Sequence, residues 1–380
     1  MSAPERVDVL VSGLGPAGAA AAAAAARAGW KVLAVERNAH PGLPVQCAEF
    51  VPMMIGTDVP DVTAARIQDI AAMETFVGAE PADVTPDFRG YMIDRARFDR
   101  ALIEKAMAAG VQCCFGTPVR AISAEGVVTV GAGAEARTIA AKVIIGADGP
   151  RSPVGRAAGC PNVDLVETRQ VTVDLLQPHD GTDIFLRPEI VGGYAWLFPK
   201  GELANLGLGV IPEHKARLKP LLDGLQAQLV AEGRVGPAIH RTTGGLIPVG
   251  GITGLAEKIG DVPVFLAGDA AGLTNPVTGA GINSAVISGK LAGEAAAALL
   301  GGDPEAGEDY AEEIEDTFGT SLALAVRRRR QVLDVYREAE PGPDALRGGW
   351  IAYPQYWNRT EDGAAWPASH GTTVEARETA

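Results

Sequence analysis

Three glycines near the start of the chain have the spacing of a phosphate-binding turn. Gly13, Gly15 and Gly18 follow an apolar run of strand type and lead into eight consecutive alanines. In such a unit the first glycine permits the tight turn, the second lets the backbone approach a pyrophosphate, and the third lets helix and strand pack closely. Glu36 ends the next apolar run, where a carboxylate can accept hydrogen bonds from ribose hydroxyls. The remaining cofactor-binding candidates in and beside these motifs are Pro16, Ala17 and Arg37.

Two further glycine turns lie far along the chain. Gly268 and Asp269 end another apolar run, and Gly279 and Gly281 lead into a helical pattern that begins at Ile282. Asp269 can accept a ribityl hydroxyl, because ligands of open α/β sheets bind at the carboxyl ends of the strands. N–H groups at the start of the following helix would face the edge of an isoalloxazine where negative charge builds on reduction. The combination favours FAD over NAD.

Two other groups of residues have a chemical and a purely structural interpretation. Cys47 lies in a proline-bearing loop, but a cysteine among apolar neighbours is usually an inert, small side chain. Tyr194, Trp196 and Phe198 alternate, so a strand would carry all three on one face. Taken alone, that stripe is more often core packing than the wall of a ligand site.

The composition limits the class of protein. The 380 residues are 47% hydrophobic and 21% charged, which is typical of a globular chain with roughly two domains. A net charge of −14 opposes nonspecific binding to nucleic acid or an anionic membrane. The sequence shows no bilayer-spanning apolar stretch and no signal-peptide pattern. The four cysteines and five histidines have no metal-ligand spacing, so we predict no metal and a cytoplasmic protein, with peripheral membrane binding as an option.

The elements that must position these groups follow from the hydrophobic pattern. We expect a βαβ unit at the start, parallel strands ending at Gly146 and Gly268, and a mainly antiparallel region after residue 165. The finer expectations are an irregular stretch at 51–92, a buried strand at 111–115, two strands around a turn in 121–139, and helices at 218–231 and 308–338.

The predicted fold class is α/β. A discontinuous FAD/NAD(P)-binding Rossmann-like domain would hold an inserted, mainly antiparallel α+β substrate domain, and a C-terminal helical segment would follow. The domain boundaries that we predict are 1–50, 93–164 and 259–304 for the FAD-binding domain, 51–92 and 165–258 for the substrate domain, and 305–380 for the helical region with a loose tail.

The motifs together resemble a known family. The Gly13–Gly18 turn with Glu36, the turn that contains Asp148, and the Gly268–Asp269 turn resemble the FAD-dependent group that includes aromatic hydroxylases and geranylgeranyl reductases. The strand pattern from Tyr194 to Pro199 is similar specifically to geranylgeranyl reductases. The resemblance covers about 300 residues and is weaker past residue 300.

This resemblance implies roles for individual residues. In the family, the aromatic strand lines the prenyl-chain cavity beside the flavin, which makes Tyr194, Trp196, Phe198 and Pro199 candidates for substrate binding. Arg95 is implied to contact FAD, although a solvated ion pair with a neighbouring aspartate would also fit the sequence. Asp148 is implied to bind the cofactor, although its turn read alone is a plain one.

The resemblance also changes the interpretation of the cysteine loop. In archaeal members a cysteine in a Pro-x-x-Cys-Gly-Glu loop lies over the flavin and is important for reduction. Here the loop has Cys47 and Glu49 but Ala48 in place of the glycine, which puts its shape in question. Beside a reduced flavin, Cys47 would act as a proton donor or perturb the electronics of the flavin.

Three functions follow from these residues. The first is reduction of carbon–carbon double bonds in a prenyl-type lipid or quinone side chain, by hydride transfer from flavin N5 and protonation by Cys47, Tyr194 or a water. The electron donor would be NAD(P)H, bound transiently, or ferredoxin.

The second function is that of a flavoprotein electron donor to a partner enzyme, for example in lipoate assembly, with Arg327–Arg330 and the C-terminal aromatics as docking face. That basic run is more simply a solvated helix face, and a lipid headgroup is a further ligand for it. The third, disfavoured by the Tyr194–Pro199 strand, is a flavin monooxygenase.

Overall fold

The structure is a computed structural model that describes residues 3–53 and 62–358. The strands are β1 (Glu5–Ser12), β2 (Val32–Val35), β3 (Phe50–Pro52), β4 (Arg66–Val77), β5 (Asp83–Ile93), β6 (Gln112–Cys114), β7 (Val119–Ile122), β8 (Val128–Val130), β9 (Arg137–Gly146), β10 (Leu165–Leu175), β11 (Gly181–Leu186), β12 (Ala195–Lys200), β13 (Leu203–Val210), β14 (Val235–Thr243), β15 (Leu246–Pro248), β16 (Ala256–Ile259) and β17 (Val262–Leu266). The helices are α1 (Pro16–Arg27), α2 (Val62–Ala65), α3 (Arg95–Ala108), α4 (Pro153–Ala157), α5 (Leu218–Ala231), α6 (Ile282–Leu300), α7 (Ala306–Ile314), α8 (Thr320–Glu338), α9 (Pro343–Gly348) and α10 (Pro354–Trp357).

The first sheet is built around β1. Its parallel strands follow the order β17, β9, β1, β2 and β6, while β16 pairs antiparallel with β17 and the β7–β8 ribbon joins β9. Val9, Leu10 and Val11 are completely buried, as expected for a parallel strand covered on both faces. Because β17, β9 and β1 are adjacent and parallel, the turns that follow them lie at the same edge of the sheet.

The alanine run of α1 permits close packing against a second helix as well as against the sheet. A Cβ placed on Gly289 of α6 would lie 2.1 Å from the carbonyl oxygen of Ala17, and one on Gly293 would lie 2.2 Å from that of Ala21. The two backbones are therefore nearly in contact. Larger side chains on either helix would push α6, and the Gly279–Gly281 turn that precedes it, away from α1.

The second sheet is mostly antiparallel. Its strands follow the order β14, β10, β13, β12, β11, β4, β5 and β3, with β15 on β10 and a single parallel pair between β11 and β4 in the described residues. One face packs against α5 through leucines such as Leu222 and Leu225. The other face carries Trp196 and Phe198 and is covered by the segment around Trp350.

Two local expectations from the sequence were wrong and one was incomplete. The stretch 51–92 contains the long strands β4 and β5, whose alternation is shifted by an irregularity between Ile70 and Ala72. In the stretch 121–139 the predicted pair of strands around the Gly131–Gly133 turn is present as β8 and β9, and an additional strand, β7, joins β8 through a hairpin that closes near Gly126. The strand at 112–114 is only partly buried, because it forms the edge of the first sheet.

The architecture matches the predicted fold class, with a helical C-terminal part in α7–α10. The predicted helix at 218–231 is confirmed, and the one at 308–338 is present with a π-helical turn at Glu315–Gly319. The domain boundaries stay a prediction, and the loose tail lies outside the described residues. No helix in residues 3–53 and 62–358 has the length and apolar character needed to cross a membrane.

Candidate active site

The first glycine turn is shaped by contacts that only glycine permits. Gly13 has φ +92°, and a Cβ there would lie 2.3 Å from the carbonyl oxygen of Ala147. A Cβ on Gly18 would lie 1.9 Å from the carbonyl oxygen of Gly13. By contrast, apart from Gly15 and its two chain neighbours, no described atom lies within 4 Å of a Cβ built on Gly15. The turn therefore leaves open space at Gly15, beside the N-terminus of α1 where an anionic group is stabilised.

Glu36 is held beside this turn. Its two carboxylate oxygens accept hydrogen bonds from the backbone N–H of Leu14 (3.0 Å) and of Asn38 (2.8 Å). Glu36 is half-buried, while the side chain of Arg37 is exposed. The carboxylate thus lies at the end of β2 next to the glycine turn, where the sequence places a ribose contact.

Asp148 joins the ends of two strands. Its carboxylate accepts a hydrogen bond from the Ser12 hydroxyl at 2.8 Å, which links the turn after β9 to the end of β1. Burial raises the pKa of Asp148, and the hydrogen bonds from serine hydroxyls only partly offset this. In the structure, the Asp148 side chain holds the turn after β9 against the end of β1.

The second and third turns meet the first. Gly268 has φ +59°, and a Cβ there would lie 3.1 Å from the Cβ of Ala17. A Cβ on Gly281 would lie 3.3 Å from an Oδ of Asp269, whose carboxylate accepts the Thr274 hydroxyl at 2.6 Å. Burial raises the pKa of Asp269. The structure therefore gathers the three glycine turns at one edge of the first sheet, with Ile282 as the first residue of α6.

Cys47 approaches the same region from a loop held by the second sheet. The carbonyl oxygen of Cys47 accepts a hydrogen bond from the Gln170 side chain at 3.1 Å, and that of Val45 accepts one from the Thr243 hydroxyl at 2.8 Å. The residue with positive φ in this loop is Glu49 (+70°), not Ala48. Replacing the family's glycine by Ala48 therefore imposes no left-handed strain at that position.

Arg95 is part of a buried ion pair. Its Nε donates to Asp99 at 2.6 Å, and the two side chains are only 17% and 9% exposed, so the solvated ion pair considered from the sequence was wrong. Burial alone would lower the pKa of Arg95, but attraction to Asp99 and to Cys47 raises it. Attraction to Arg95 offsets a small part of the rise in the pKa of Asp269 that burial causes. One permanent cation therefore lies among the cysteine, the glycine turns and Asp99.

The side chains of Tyr194, Trp196 and Phe198 form a continuous, largely buried aromatic wall, and its role in binding a ligand stays a prediction. The ring centroids of Tyr194 and Trp196 are 5.7 Å apart and those of Trp196 and Phe198 are 6.4 Å apart. Trp350 lies on the wall with its ring 4.8 Å from that of Tyr194. Pro199 continues the strand and is buried.

Polar contacts connect this wall to both sides of the site. The Tyr194 hydroxyl donates to the carbonyl oxygen of Thr278, next to the third glycine turn. Trp196 Nε1 donates to Gln170 Oε1 at 3.0 Å, and Gln170 holds Cys47. Burial, and to a lesser extent Cys47, raises the pKa of Tyr194, so its hydroxyl stays protonated at neutral pH.

Several residues of this site were missed from the sequence. Gln170 is a polar position inside an apolar strand, and this was the available signal for it. Trp350 was noted only as part of an aromatic cluster. Glu49 was noted as a member of the cysteine loop, without a role.

The basic run Arg327–Arg330 is not one surface. Arg328 is 2% exposed and donates from Nε to the carbonyl oxygen of Tyr356 at 2.8 Å, and Arg329 donates to the carbonyl oxygen of Gly192. Arg327 and Arg330 are exposed. Four consecutive residues surround a helix, because each is rotated by about 100° from the last. Both surface interpretations of the whole run, a solvated face and a docking face, were therefore wrong.

One cluster in the described residues has side chains of metal-ligand type: Glu74, His179 and Asp183. Asp183 is already engaged by His179 Nε2 at 2.7 Å and by the Arg234 guanidinium. Because the Arg234 guanidinium already occupies the Asp183 carboxylate, it opposes the binding of a metal cation there. The three residues are therefore part of an ion-pair network. The absence of a metal stays a prediction.

Comparisons with known proteins agree with this geometry. Residues 8–163 match the FAD dependent oxidoreductase family, and residues 165–246 match the geranylgeranyl reductase catalytic domain. Two curated relatives are digeranylgeranylglycerophospholipid reductases 1 and 2 of Methanopyrus kandleri. The first is 31% identical over 92% of this chain and 99% of its own, and the second is 33% identical over 90% and 92%.

A solved structure gives the same picture. A geranylgeranyl bacteriochlorophyll reductase-like protein of Thermoplasma acidophilum superposes with a TM-score of 0.79 at 26% identity, covering 90% of each chain. The predicted fold class is thereby confirmed.

Proposed function

The chain belongs to the geranylgeranyl reductase family of FAD-dependent oxidoreductases, and from this premise we propose that it reduces carbon–carbon double bonds in the prenyl chains of a lipid. The observation that supports this most strongly is the joint placement of three glycine turns, the Cys47 loop and an aromatic wall. The relatives named for a digeranylgeranylglycerophospholipid support a lipid with isoprenoid chains. A quinone with a prenyl side chain offers the same double bonds.

The residues at the sheet edge fit FAD. The space at Gly15 would accommodate a pyrophosphate against the start of α1, and Glu36 would hold the ribose. Asp269 would accept a ribityl hydroxyl, and the Gly279–Gly281 turn would present the N-terminus of α6 to the ring. When bound, the flavin supplies hydride from N5 to one carbon of the double bond.

The side chains of the protein must supply the rest of the reaction. The wall of Tyr194, Trp196 and Phe198 would hold the prenyl chain and exclude water from the reacting carbons. An isolated alkene accepts hydride poorly, so a proton has to reach the second carbon in concert. Cys47 and the Tyr194 hydroxyl are the candidates, and Arg95 beside Cys47 would stabilise the sulfur after it gives up its proton.

The electron donor is proposed as NAD(P)H or a reduced ferredoxin. The alternative function, electron donation to a partner enzyme, would use the basic run Arg327–Arg330 and the C-terminal aromatics as its docking face. Because Arg328 and Arg329 point inward, only two of the four arginines remain for such a face, and the lipid reductase is favoured. We place the protein in the cytoplasm, meeting its substrate at the membrane surface.

An anaerobic experiment tests the proposal. The purified flavoprotein is reduced with dithionite, NADH, NADPH or ferredoxin, and a geranylgeranyl lipid is then added. The expected result is reoxidation of the flavin together with a product heavier by two hydrogen atoms for each double bond reduced. Reoxidation only by a protein acceptor would overturn the proposal, and so would a hydroxylated lipid formed when the same reduced protein and lipid are mixed in air.

A further inference from the structure

Glu49 is a buried carboxylate in an unusual backbone conformation. The residue is 1% exposed, and its φ of +70° lies in the left-handed region that non-glycine residues rarely adopt. A buried charge and a strained backbone at one position both require compensation from the surroundings.

The carboxylate receives that compensation from four separate elements. Oε1 accepts the backbone N–H of Arg95 at 3.1 Å, at the first turn of α3. Oε2 accepts Lys200 Nζ of β12 at 2.7 Å and Asn205 Nδ2 of β13 at 3.0 Å, and Arg241 of β14 lies 3.5 Å away. One side chain therefore joins α3 to three strands of the second sheet.

The backbone of Glu49 reaches the reactive loop. Its N–H donates to the Cys47 sulfur at 3.2 Å, and its carbonyl oxygen accepts the N–H of Ile93 at 2.9 Å. Arg95, which the carboxylate holds through its main chain, interacts with the same sulfur through its guanidinium. Two groups that approach the sulfur, the N–H of Glu49 and the guanidinium of Arg95, thus depend on one residue.

We propose that Glu49 is a positioning residue, whose carboxylate locks the Cys47 loop to α3 and to the second sheet and so fixes the Cys47 sulfur against Arg95. The relevance to turnover rests on the proposed function, in which Cys47 acts beside the flavin. The lock itself is a property of the chain with or without a lipid substrate.

Lys200 ranks as the main cation of the lock. Its ammonium is closer to Glu49 than Arg241 is, and its side chain is 17% exposed against 39% for Arg241. Removing Lys200 leaves a buried carboxylate with a weaker partner. The effect on the loop should therefore follow the order Glu49, Lys200, Arg241.

Cysteine alkylation tests this without any substrate. The protein, FAD-loaded and apo, is treated with iodoacetamide, and mass spectrometry follows each cysteine separately. In Glu49→Gln, which keeps the side-chain shape, Cys47 should react at least about fivefold faster, because release of the loop exposes a sulfur that is now only partly accessible, and this outweighs the weaker stabilisation of the thiolate by Arg95. Cys113, Cys114 and Cys160 should stay within about twofold and serve as internal references.

The matched control is Glu167→Gln on β10. It removes a carboxylate that pairs with Lys215, and it should leave the alkylation rate of Cys47 unchanged. Lys200→Gln should accelerate Cys47 by about two- to threefold, and it keeps the test open if Glu49→Gln folds poorly. With a lipid substrate, Glu49→Gln should lower kcat about tenfold with KM nearly constant.

Two outcomes would overturn the proposal. One is an unchanged rate at Cys47 in Glu49→Gln and Lys200→Gln. The other is equal acceleration of all four cysteines with a lowered Tm, which marks a role in folding only. If alkylation changes as expected but no lipid is reduced, the proposed function fails and the positioning role stands.

Discussion

The glycine turns at the edge of the first sheet and the Cys47 loop at the second sheet both place a few atoms accurately, but with different means. At the turns, main-chain atoms fix the geometry, and their carbonyl oxygens lie so close that a single methyl group does not fit at Gly18. At the loop it is done by side chains from distant strands, such as Gln170, Asn205 and Lys200. Backbone sites depend on short motifs within the chain, whereas side-chain sites depend on which strands become neighbours.

The largest effect should come from adding a methyl group to the backbone site. Gly18→Ala would place Cβ 1.9 Å from the carbonyl oxygen of Gly13. We expect a loss of about 3 kcal/mol in the free energy of unfolding and protein without bound flavin. Urea denaturation and the visible spectrum measure the two effects.

Gly15→Ala is the matched control, because its Cβ meets no described atom and its φ of −70° suits alanine. This variant should keep its stability within about 1 kcal/mol and bind FAD at least about tenfold more weakly, about 1.4 kcal/mol. Equal losses of unfolding free energy in the two variants would contradict the conclusion that Gly18 shapes the turn whereas Gly15 borders the space for the ligand.

At the side-chain site, Gln170→Leu removes two hydrogen bonds together. It leaves Trp196 Nε1 and the carbonyl oxygen of Cys47 without their partner, at a cost of about 2 kcal/mol. Thr172→Val on the same strand removes the bond to Asn205 and should cost about 1 kcal/mol. Denaturant titration compares them, and a smaller loss in Gln170→Leu would argue against the link between wall and loop.

Cys47→Ala should separate binding from reaction. The variant should retain FAD, since the glycine turns are untouched, and should reoxidise with substrate at least about tenfold more slowly, or about 1.4 kcal/mol in the barrier. Stopped-flow absorbance under anaerobic conditions measures the rate. Turnover equal to that of the unmodified protein would remove Cys47 from the mechanism.

The smallest effect concerns the pH dependence of the apoprotein. Burial raises the pKa of Asp269 above its ordinary value of 3.8, so its contribution to stability is complete below that pH and is lost as the pH rises through the raised pKa. The loss is at most about 1.4 kcal/mol per pH unit. Asp269→Asn should flatten this part of the stability curve in thermal melts. A curve unchanged by the substitution would show that Asp269 ionises without penalty.

These differences explain what could be predicted from the sequence. The turns at Gly13 and Gly268 were identified because their spacing reflects contacts within a few residues or between adjacent parallel strands. The aromatic row was identified because Tyr194, Trp196 and Phe198 alternate along one short segment, which leads into and includes β12. In contrast, β4 and β5 were missed, because an irregularity at Ile70 breaks their alternation.

The polar network around the cysteine was beyond sequence reasoning for a physical reason. Glu49 and Lys200 are 151 residues apart, and only the pairing of β12 within the second sheet brings them together. The inward positions of Arg328 and Arg329 likewise depend on packing of α8 against the aromatic C-terminal segment and the loop at Gly192. Residue type alone gives no sign of either.

The most direct measurement is anaerobic reoxidation of the reduced flavoprotein by a geranylgeranyl lipid, with the product analysed by mass spectrometry. The glycine turns, Cys47 and the aromatic wall together predict that the yellow colour returns as the lipid gains two hydrogen atoms per double bond. A protein that binds no flavin, or a reduced flavin that such a lipid leaves unchanged, would contradict the account.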